Sequence, residues 1–229
     1  MLRVGLTGSL GSGKSTAGRL FAAHGAYVLD SDEMGREMMQ PGQAVTAAIV
    51  AHFGDGVVAA DGGLDRGALA RIAFAEGRVE ELNAIVHPAV IARQAEMVAE
   101  IARKDSGAVV VVESALIFET KYGETKYGET KRVGAGGWRQ RFDRMILVTA
   151  PEELKVARFV ERVAGKRELS DAERESLENE ARRRLAQQIS DERKASQTDY
   201  VLTNNGPLVE LQWQVDQLWP ILMAAAQAD

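Results

Sequence analysis

The chain has 229 residues, of which 45% are hydrophobic and 27% charged, so it suits one globular domain with excursions and excludes two large domains. No apolar run approaches the roughly 20 residues that a membrane helix needs, and we expect a soluble protein. A net charge of −5 argues against general nucleic-acid binding, and the lack of cysteine excludes disulfides, cysteine-ligated zinc and thiol nucleophiles.

The first predicted strand, Arg3–Leu6, runs directly into a glycine-rich loop that reads LTGSLGSGKST. From Gly8 to Ser15 this loop contains the complete Walker A pattern, Gly-x-x-x-x-Gly-Lys-Ser, and a predicted helix follows. Glycines let backbone N–H groups point at phosphate oxygens, and the helix N-terminus adds positive potential. The loop therefore predicts a nucleotide site, and a glycine-rich turn without a ligand is the alternative.

Two side chains of the loop carry its predicted chemistry. Lys14 is expected to reach the β- and γ-phosphates and act in catalysis, and the Ser15 hydroxyl to ligate Mg²⁺. The chain has no Asn-Lys-x-Asp motif for guanine recognition, which favours ATP over GTP. The predicted cofactors are thus ATP and Mg²⁺, with contacts from Gly11, Ser12, Gly13, Lys14, Ser15 and Thr16.

The second predicted strand, Ala26–Asp30, leads into two acidic residues. Asp30 and Asp32 share a face by the two-residue period of a strand and emerge beside the glycine loop. We predict that Asp32 is a catalytic carboxylate that orients an acceptor hydroxyl and takes its proton, with Asp30 in a supporting or metal-binding role. The alternative is that one of the two caps the helix predicted at Ser31–Met39.

A segment at about 43–104 is too long for a simple crossover between strands. We expect a mostly helical excursion over the carboxyl ends of the strands, where open α/β sheets bind ligands. His87 and Pro88 are expected at the start of a helix there, because proline suits a first turn. A lone histidine is more often packed than catalytic, so His87 by itself is weak evidence for a functional site.

The third predicted strand, Ala108–Glu113, ends in an acid that is either a magnesium-shell group or a loop charge. An unusual segment at 120–137 follows, in which TKYGE occurs twice, begins a third time and leads into a glycine-rich run. This composition predicts a long exposed loop. A tolerated surface insertion is favoured over a functional flap, because long loops cost little stability.

The fourth predicted strand, Asp143–Thr149, precedes a second long excursion at about 151–196. A capping box at Ser170 and Glu173 opens one of its helices. Its arginines and lysines could form a solvated face of ion pairs, but we interpret them as a lid that clamps a triphosphate. The basic residues in question are Lys155, Arg158, Arg162, Arg182, Arg183 and Arg184.

A fifth predicted strand, Tyr200–Leu202, completes the pattern. Strands alternate with helices, and several strands have two apolar faces, as in a buried parallel sheet. We predict an α/β fold: a three-layer, P-loop NTP hydrolase-like architecture with a parallel sheet of about five strands, forming a single domain over residues 1–229.

Five stretches together carry a family resemblance. They occur in the order and approximate spacing of dephospho-coenzyme A kinases, and the resemblance covers nearly the whole chain. Individually only the Walker A pattern is specific. The stretches read LTGSLGSGKST, YVLDSDEMGREM, LNAIVHPAVI, ESALIFE and RLAQQISDERKASQTDYVLTNNG.

The resemblance implies ATP-dependent phosphorylation of the 3′-hydroxyl of dephospho-coenzyme A, the last step of coenzyme A synthesis. It implies a helical coenzyme A-binding excursion at 43–104 and a lid at 151–196. Asp32 matches the family's catalytic carboxylate, with His87 and Gln188 as further substrate-binding positions and Arg162 and Arg184 as nucleotide-binding positions.

Three features depart from the family pattern. The stretch from Glu113 to Glu119 reads ESALIFE where the family usually has DVPLLFE, the 120–137 segment is longer, and the lid is more charged.

Two other functions are possible interpretations of the sequence: a nucleoside monophosphate or shikimate-type kinase, and a nucleotide-dependent switch. We further expect a cytoplasmic protein, because the glycine loop follows Met1 too closely for a secretory signal, and a monomer or weak homo-oligomer.

Overall fold

The computed structural model describes residues 1–119, 122–124, 130–132 and 137–228. Its main sheet consists of five parallel strands in the order β2-β3-β1-β6-β7. Because the strand order reverses around β1, the carboxyl ends of these strands frame a crevice in which open α/β sheets bind ligands. The strands are β1 Leu2–Thr7, β2 Tyr27–Asp30, β3 Val109–Glu113, β6 Arg144–Thr149 and β7 Tyr200–Thr203, while β4 Tyr122–Glu124 and β5 Thr130–Arg132 form a separate antiparallel pair.

Helices connect the strands and cover both faces of the sheet. Short 3-10 turns at Asp55–Val57 and Gly137–Gln140 and a π-helical turn at Arg71–Ala75 link some of them. The helices are α1 Lys14–Ala23, α2 Ser31–Met38, α3 Ala44–Phe53, α4 Arg66–Ala70, α5 Val79–Lys104, α6 Glu152–Ala164, α7 Asp171–Ala186, α8 Asp191–Ala195 and α9 Leu208–Gln227.

The valines of β3 show how the sheet divides the core. Val109 and Val111 pack in a cluster with residues of α1 and α9, whereas Val110 and Val112 pack on the other face with residues of α2 and α5. Alternate side chains of a strand point to opposite faces, so this strand is buried on both. The predicted three-layer α/β fold with five parallel strands is confirmed.

Two helical segments have small apolar cores of their own. Val45 and Ile49 of α3 pack with Leu69 of α4 and with partly buried residues of α5. Phe159 of α6 packs with Ala181 of α7, and α7 begins at the predicted capping box. Across the described ranges, no helix has the length and hydrophobicity required for a membrane span.

The structure corrects the expected helix start at His87 and Pro88. Helix α5 begins at Val79 and continues through Pro88 to Lys104. A proline inside a helix removes one backbone hydrogen bond, but Val86 and Val90 pack against the apolar clusters on either side of it. Tertiary packing therefore carries the helix past a residue that usually marks a first turn.

Part of the predicted loop at 120–137 has regular structure. Tyr122–Glu124 pairs antiparallel with Thr130–Arg132, and the two strands lie beside α5. Residues 120–121, 125–129 and 133–136 lie outside the described residues, so the predicted exposure of this loop stays a prediction.

Candidate active site

The Walker A loop connects β1 to α1 through two glycines in left-handed backbone conformations. Gly11 has φ +72° and Gly13 has φ +96°, values that glycine adopts at little cost. A Cβ at Gly11 would lie less than 3.0 Å from the Lys155 carbonyl oxygen, and one at Gly13 equally close to the Asn204 side-chain nitrogen. The loop therefore needs glycine for both its conformation and its close packing.

Three side chains from distant elements hold the backbone of this loop. Asn204 Nδ2, after β7, donates to the Ser12 carbonyl at 2.9 Å, and Arg158 Nη1 of α6 donates to the Gly11 carbonyl at 3.5 Å. Gln188 Oε1 accepts from the Leu10 N–H at 3.1 Å. The structure thus places Gln188 on the donor loop, whereas the family resemblance assigned it to the acceptor substrate.

The C-terminal end of β3 meets the first turn of α1 at Ser15. Its hydroxyl donates to Glu113 Oε1 at 2.6 Å. Glu113 is only 7% exposed, and burial raises the pKa of its carboxyl, although the Ser15 hydrogen bond and the Lys14 charge oppose the shift. The acid that ends β3 is therefore part of the site and fixes the orientation of the predicted magnesium-binding hydroxyl.

The two acids where β2 passes into α2 have different positions. Asp30 is the N-cap of α2: its Oδ1 accepts from the N–H groups of Asp32 at 2.8 Å and Glu33 at 3.0 Å. The capping interpretation is therefore confirmed for Asp30, and a metal-binding role for its second oxygen stays a prediction. Asp32 lies in the first turn of α2 and lines a cavity described below.

Lys14 lies among charges of both signs. Burial lowers the pKa of its ammonium group; the carboxylates of Glu113 and Asp32 oppose that shift, while Lys194 and Arg162 add to it. Both predicted catalytic residues, Lys14 and Asp32, are thus within electrostatic reach of each other.

A cavity of about 320 Å³ lies between α2, α5 and the segment after β3. It brings together the predicted substrate-binding residues Asp32 and His87. Burial and the charge of Arg141 lower the pKa of His87, while Glu80 and Asp32 oppose the shift. His87 is therefore mainly neutral at pH 7 and can both donate and accept a hydrogen bond. The other lining residues are Ser31, Gly35, Arg36, Met39, Val86, Val90, Ile91, Gln94, Ser114, Leu116, Ile117 and Arg141.

A row of buried polar side chains forms one wall of this acceptor cavity. Gln94 of α5 is 2% exposed; its Nε2 donates to Ser31 Oγ at 2.8 Å, and its Oε1 accepts from Arg141 Nη2 at 2.6 Å. Ser31 directly precedes Asp32, so the row ties the start of α2 to α5 and to the end of the 137–141 segment. These bonds fix the wall on which Asp32 is mounted.

The lid arginines differ in what they contact. Arg162 and Arg184 lie against the same Phe159 ring, at 5.7 and 5.4 Å from its centroid, and Arg184 also forms an ion pair with Glu180. Arg162 is near enough to affect the pKa of Lys14, and Arg158 contacts the donor loop itself. Arg158 was predicted to lie on the basic lid face with Lys155 and Arg162, but the nucleotide-binding positions singled out from the resemblance were Arg162 and Arg184.

The segment after β3, where the proline of the family pattern is absent, is held by a buried lysine. Lys194 is fully buried; its Nζ lies 3.2 Å from Glu119 Oε1 and donates to the Ala115 carbonyl at 3.4 Å. Glu119 Oε1 also accepts from the Ile189 N–H at 3.2 Å. The segment from Ser114 to Glu119 is thus fixed against α8 without that proline.

Sequence reasoning missed Gln94 and Arg141. Neither residue belongs to a recognisable motif. Gln94 lies 47 residues from Arg141 and 63 residues from Ser31, its two hydrogen-bond partners. A weak signal was present for one of them, because Gln94 follows Val90 by one helical turn and so continues a buried stripe with a polar residue.

Comparisons with known proteins identify the family to which the chain belongs. A model of the dephospho-CoA kinase family matches residues 2–135. The chain is 38% identical to a dephospho-CoA kinase of Corynebacterium jeikeium over 96% of this chain and 98% of that protein, and 36% identical to one of Thermobifida fusca over 96% and 95%. The crystal structure of TT1252 from Thermus thermophilus superposes with a TM-score of 0.69 at 30% identity, covering 96% of this chain and 97% of that one.

The family model spans more than half of the chain, and the named relatives align with it almost from end to end. The motifs that carried the resemblance lie on the donor loop, at the acceptor cavity and in the elements that hold both. This chain belongs to the dephospho-CoA kinase family.

Proposed function

We propose that this protein transfers the γ-phosphoryl group of Mg²⁺-ATP to the 3′-hydroxyl of dephospho-CoA, giving CoA and ADP. One observation carries the proposal: Asp32, which lines the acceptor cavity, is near enough to Lys14 of the donor loop to act on it electrostatically. A phosphoryl donor and a hydroxyl acceptor bound at these two sites would have their reacting groups adjacent.

On the donor side, backbone N–H groups of residues 11–16 and the Lys14 ammonium would bind the β- and γ-phosphates. Arg158 and Arg162 would add positive charge from the lid, and so would Arg184, which lies against the Phe159 ring. Phosphoryl transfer passes through a loose transition state, so positioning and charge neutralisation supply most of the rate.

The residues around Ser15 fit a magnesium ion. Mg²⁺ in such sites is bound by one or two protein oxygens together with phosphate oxygens and water. The Ser15 hydroxyl, oriented by Glu113, and the second oxygen of Asp30 would hold it. When bound, the ion neutralises charge on the phosphate oxygens.

On the acceptor side, Asp32 would orient the 3′-hydroxyl and take its proton. The 3′-oxygen forms a bond to the γ-phosphorus while the bond from that phosphorus to the β,γ-bridging oxygen breaks, so that ADP leaves. His87, neutral at pH 7, would hydrogen-bond to the substrate beside Asp32.

A second cavity supports a long acceptor. It has a volume of about 420 Å³, lies among α2, α4 and the turn before α4, and shares Arg36 and Met39 with the acceptor cavity. Leu64 and Leu69 give it an apolar wall, and Arg66 and Arg36 supply positive charge. We assign the adenosine end of dephospho-CoA to the acceptor cavity, the diphosphate to the two arginines and the pantetheine arm to the second cavity.

The test is acceptor-dependent ADP release. Purified protein is given Mg²⁺-ATP with dephospho-CoA, with nucleoside monophosphates, with shikimate or with no acceptor, and the product mass is measured. We expect release with dephospho-CoA alone and a product heavier by one phosphoryl group. Release with another acceptor, or with none, would contradict the proposed substrate. We also propose that the enzyme acts as a monomer or weak homo-oligomer in the cytoplasm.

A further inference from the structure

A largely buried carboxylate, Asp191, joins the Walker A loop to two other elements. Asp191, the first residue of α8, accepts from Ser9 Oγ at 2.5 Å through Oδ1. Its Oδ2 accepts from Lys155 Nζ at 2.5 Å and from Thr149 Oγ1. Ser9 is part of the Walker A loop, Thr149 ends β6, and Lys155 lies in the first turn of α6. One side chain therefore links the donor loop to the sheet and to the lid.

The surroundings of Asp191 keep it in its charged form. Burial alone would raise the pKa of its carboxyl, but hydrogen bonds from Lys155, Ser9 and Thr149 hold that pKa below its ordinary value. The side chains of Lys155 and Asp191 are only 9% and 13% exposed. Solvent screens such a pair weakly, so it is stronger than a surface ion pair.

The ion pair with Asp191 balances the charge of Lys155 and fixes its side chain. The sequence placed Lys155 on a basic lid face with Arg158 and Arg162, but its charge is matched by Asp191 inside the protein. Its carbonyl oxygen lies so close to Gly11 that a Cβ there would collide with it. Arg158, one turn further along α6, then contacts the Gly11 carbonyl. The first turn of α6 therefore rests on the Walker A loop, and Asp191 fixes it there.

We propose that Asp191 is a positioning residue of the donor site: it holds the Walker A loop and the first turn of α6 in one arrangement, so that the loop and Arg158 are preset for a triphosphate. This inference rests on the proposed function. A loop that is already ordered loses less entropy when its ligand binds, which favours both affinity and transition-state stabilisation. Asp191 itself would touch no reacting atom.

The main test replaces Asp191 by asparagine, which keeps its shape and removes its charge. We expect the KM for ATP and the Kd of a fluorescent ATP analogue, measured without acceptor, to rise about tenfold. The KM for dephospho-CoA should stay within about twofold, because the acceptor cavity does not contact Asp191. Equal increases in both KM values, or a lower Tm with unchanged ATP binding, would overturn the proposal.

Two further variants separate positioning from plain stability. Asp143→Asn is the matched control: Asp143 pairs with Arg3 just before the opposite end of β6, so it should lower Tm without changing the ATP Kd. Ser9→Ala removes a single bond to Asp191 and should raise the ATP Kd severalfold in the native background but not further in Asp191→Asn. An unchanged ATP Kd in Ser9→Ala refutes the proposal even if Asp191→Asn fails to fold.

The analogue Kd also separates this inference from the proposed function. If the native protein binds the analogue and phosphorylates an acceptor other than dephospho-CoA, the proposed substrate is wrong while the role of Asp191 can still be judged. If dephospho-CoA is phosphorylated and the variants bind ATP normally, the proposed substrate stands and the role of Asp191 fails.

Discussion

Replacing Glu113 by glutamine should make the protein more stable and less active. At neutral pH a carboxylate that is 7% exposed carries a desolvation penalty, which the Ser15 hydrogen bond and Lys14 only partly offset, since the pKa of Glu113 is raised overall. Glutamine has the same shape and its Oε1 can still accept from Ser15. Removing the charge relieves that penalty, and a gain of about 1 kcal/mol corresponds to a rise in Tm of roughly 2–4 °C for a chain of this size.

The pH dependence gives this prediction its sign. Below the ordinary glutamate value of 4.5 the carboxyl is protonated in both the folded and the unfolded state, so the penalty is absent. As the pH rises from 4.5 through the raised folded-state pKa, the unfolded chain ionises freely while the folded protein ionises only against the cost of burial, so native stability falls relative to the variant. The Tm difference between Glu113→Gln and the native protein should therefore be largest at pH 7–8 and shrink on acidification.

The assay measures Tm of the ligand-free proteins between pH 4.5 and 8 and turnover at pH 7.5. Turnover should fall about 10- to 100-fold, as for other changes beside a metal ligand, because the carboxylate charge next to Ser15 and Lys14 is lost even though the hydrogen bond from Ser15 is kept. A variant that is less stable than the native protein at pH 8, or whose advantage grows on acidification, would refute the electrostatic reasoning. Native turnover in Glu113→Gln would show that Glu113 has no part in the donor site.

Three other substitutions test the site. Asp32→Asn should lower turnover by about 10²- to 10⁴-fold with ATP affinity nearly intact; unchanged turnover removes Asp32 from the role of base. Lys14→Ala should weaken ATP binding, measured by calorimetry, together with turnover, and native ATP affinity would contradict the donor-site assignment. Gly13→Ala adds a Cβ at φ +96° that collides with the Asn204 side chain; a strained backbone residue of this kind costs about 1–2 kcal/mol, so we expect a lower Tm and weaker ATP binding, and an unchanged Tm would disprove the steric argument.

The sequence was sufficient for features whose chemistry is local. The Walker A loop lies within eleven consecutive residues, and strand–helix alternation needs only the periodicity of each segment. The valines of β3, apolar on both faces, correctly indicated a buried parallel strand. The capping box at Ser170 was equally readable, because both partners lie within one turn.

Features that depend on distant partners were not predictable in this way. Asp191 lies 182 residues from Ser9 and 36 from Lys155, and no spacing rule connects them. Lys155 itself was interpreted as part of a basic lid face that clamps a triphosphate, because helical periodicity cannot show which neighbour covers a face. His87 and Pro88 failed for the opposite reason: a local preference of proline for the first turn was overridden by packing on both sides of α5.

The acceptor cavity and the second cavity share only Arg36 and Met39 among their described lining residues, so each can be targeted by its own inhibitor fragment. A fragment that fills only the apolar cavity beside Leu64 and Leu69 would block the arm of the acceptor while leaving the Walker A loop accessible, so it should compete with dephospho-CoA and not with ATP. A second fragment in the cavity beside His87 could be joined to the first by a linker that passes Arg36 and Arg66. Each fragment then raises the effective concentration of the other, so weak binders become a tight bivalent ligand when the linker spans the two cavities.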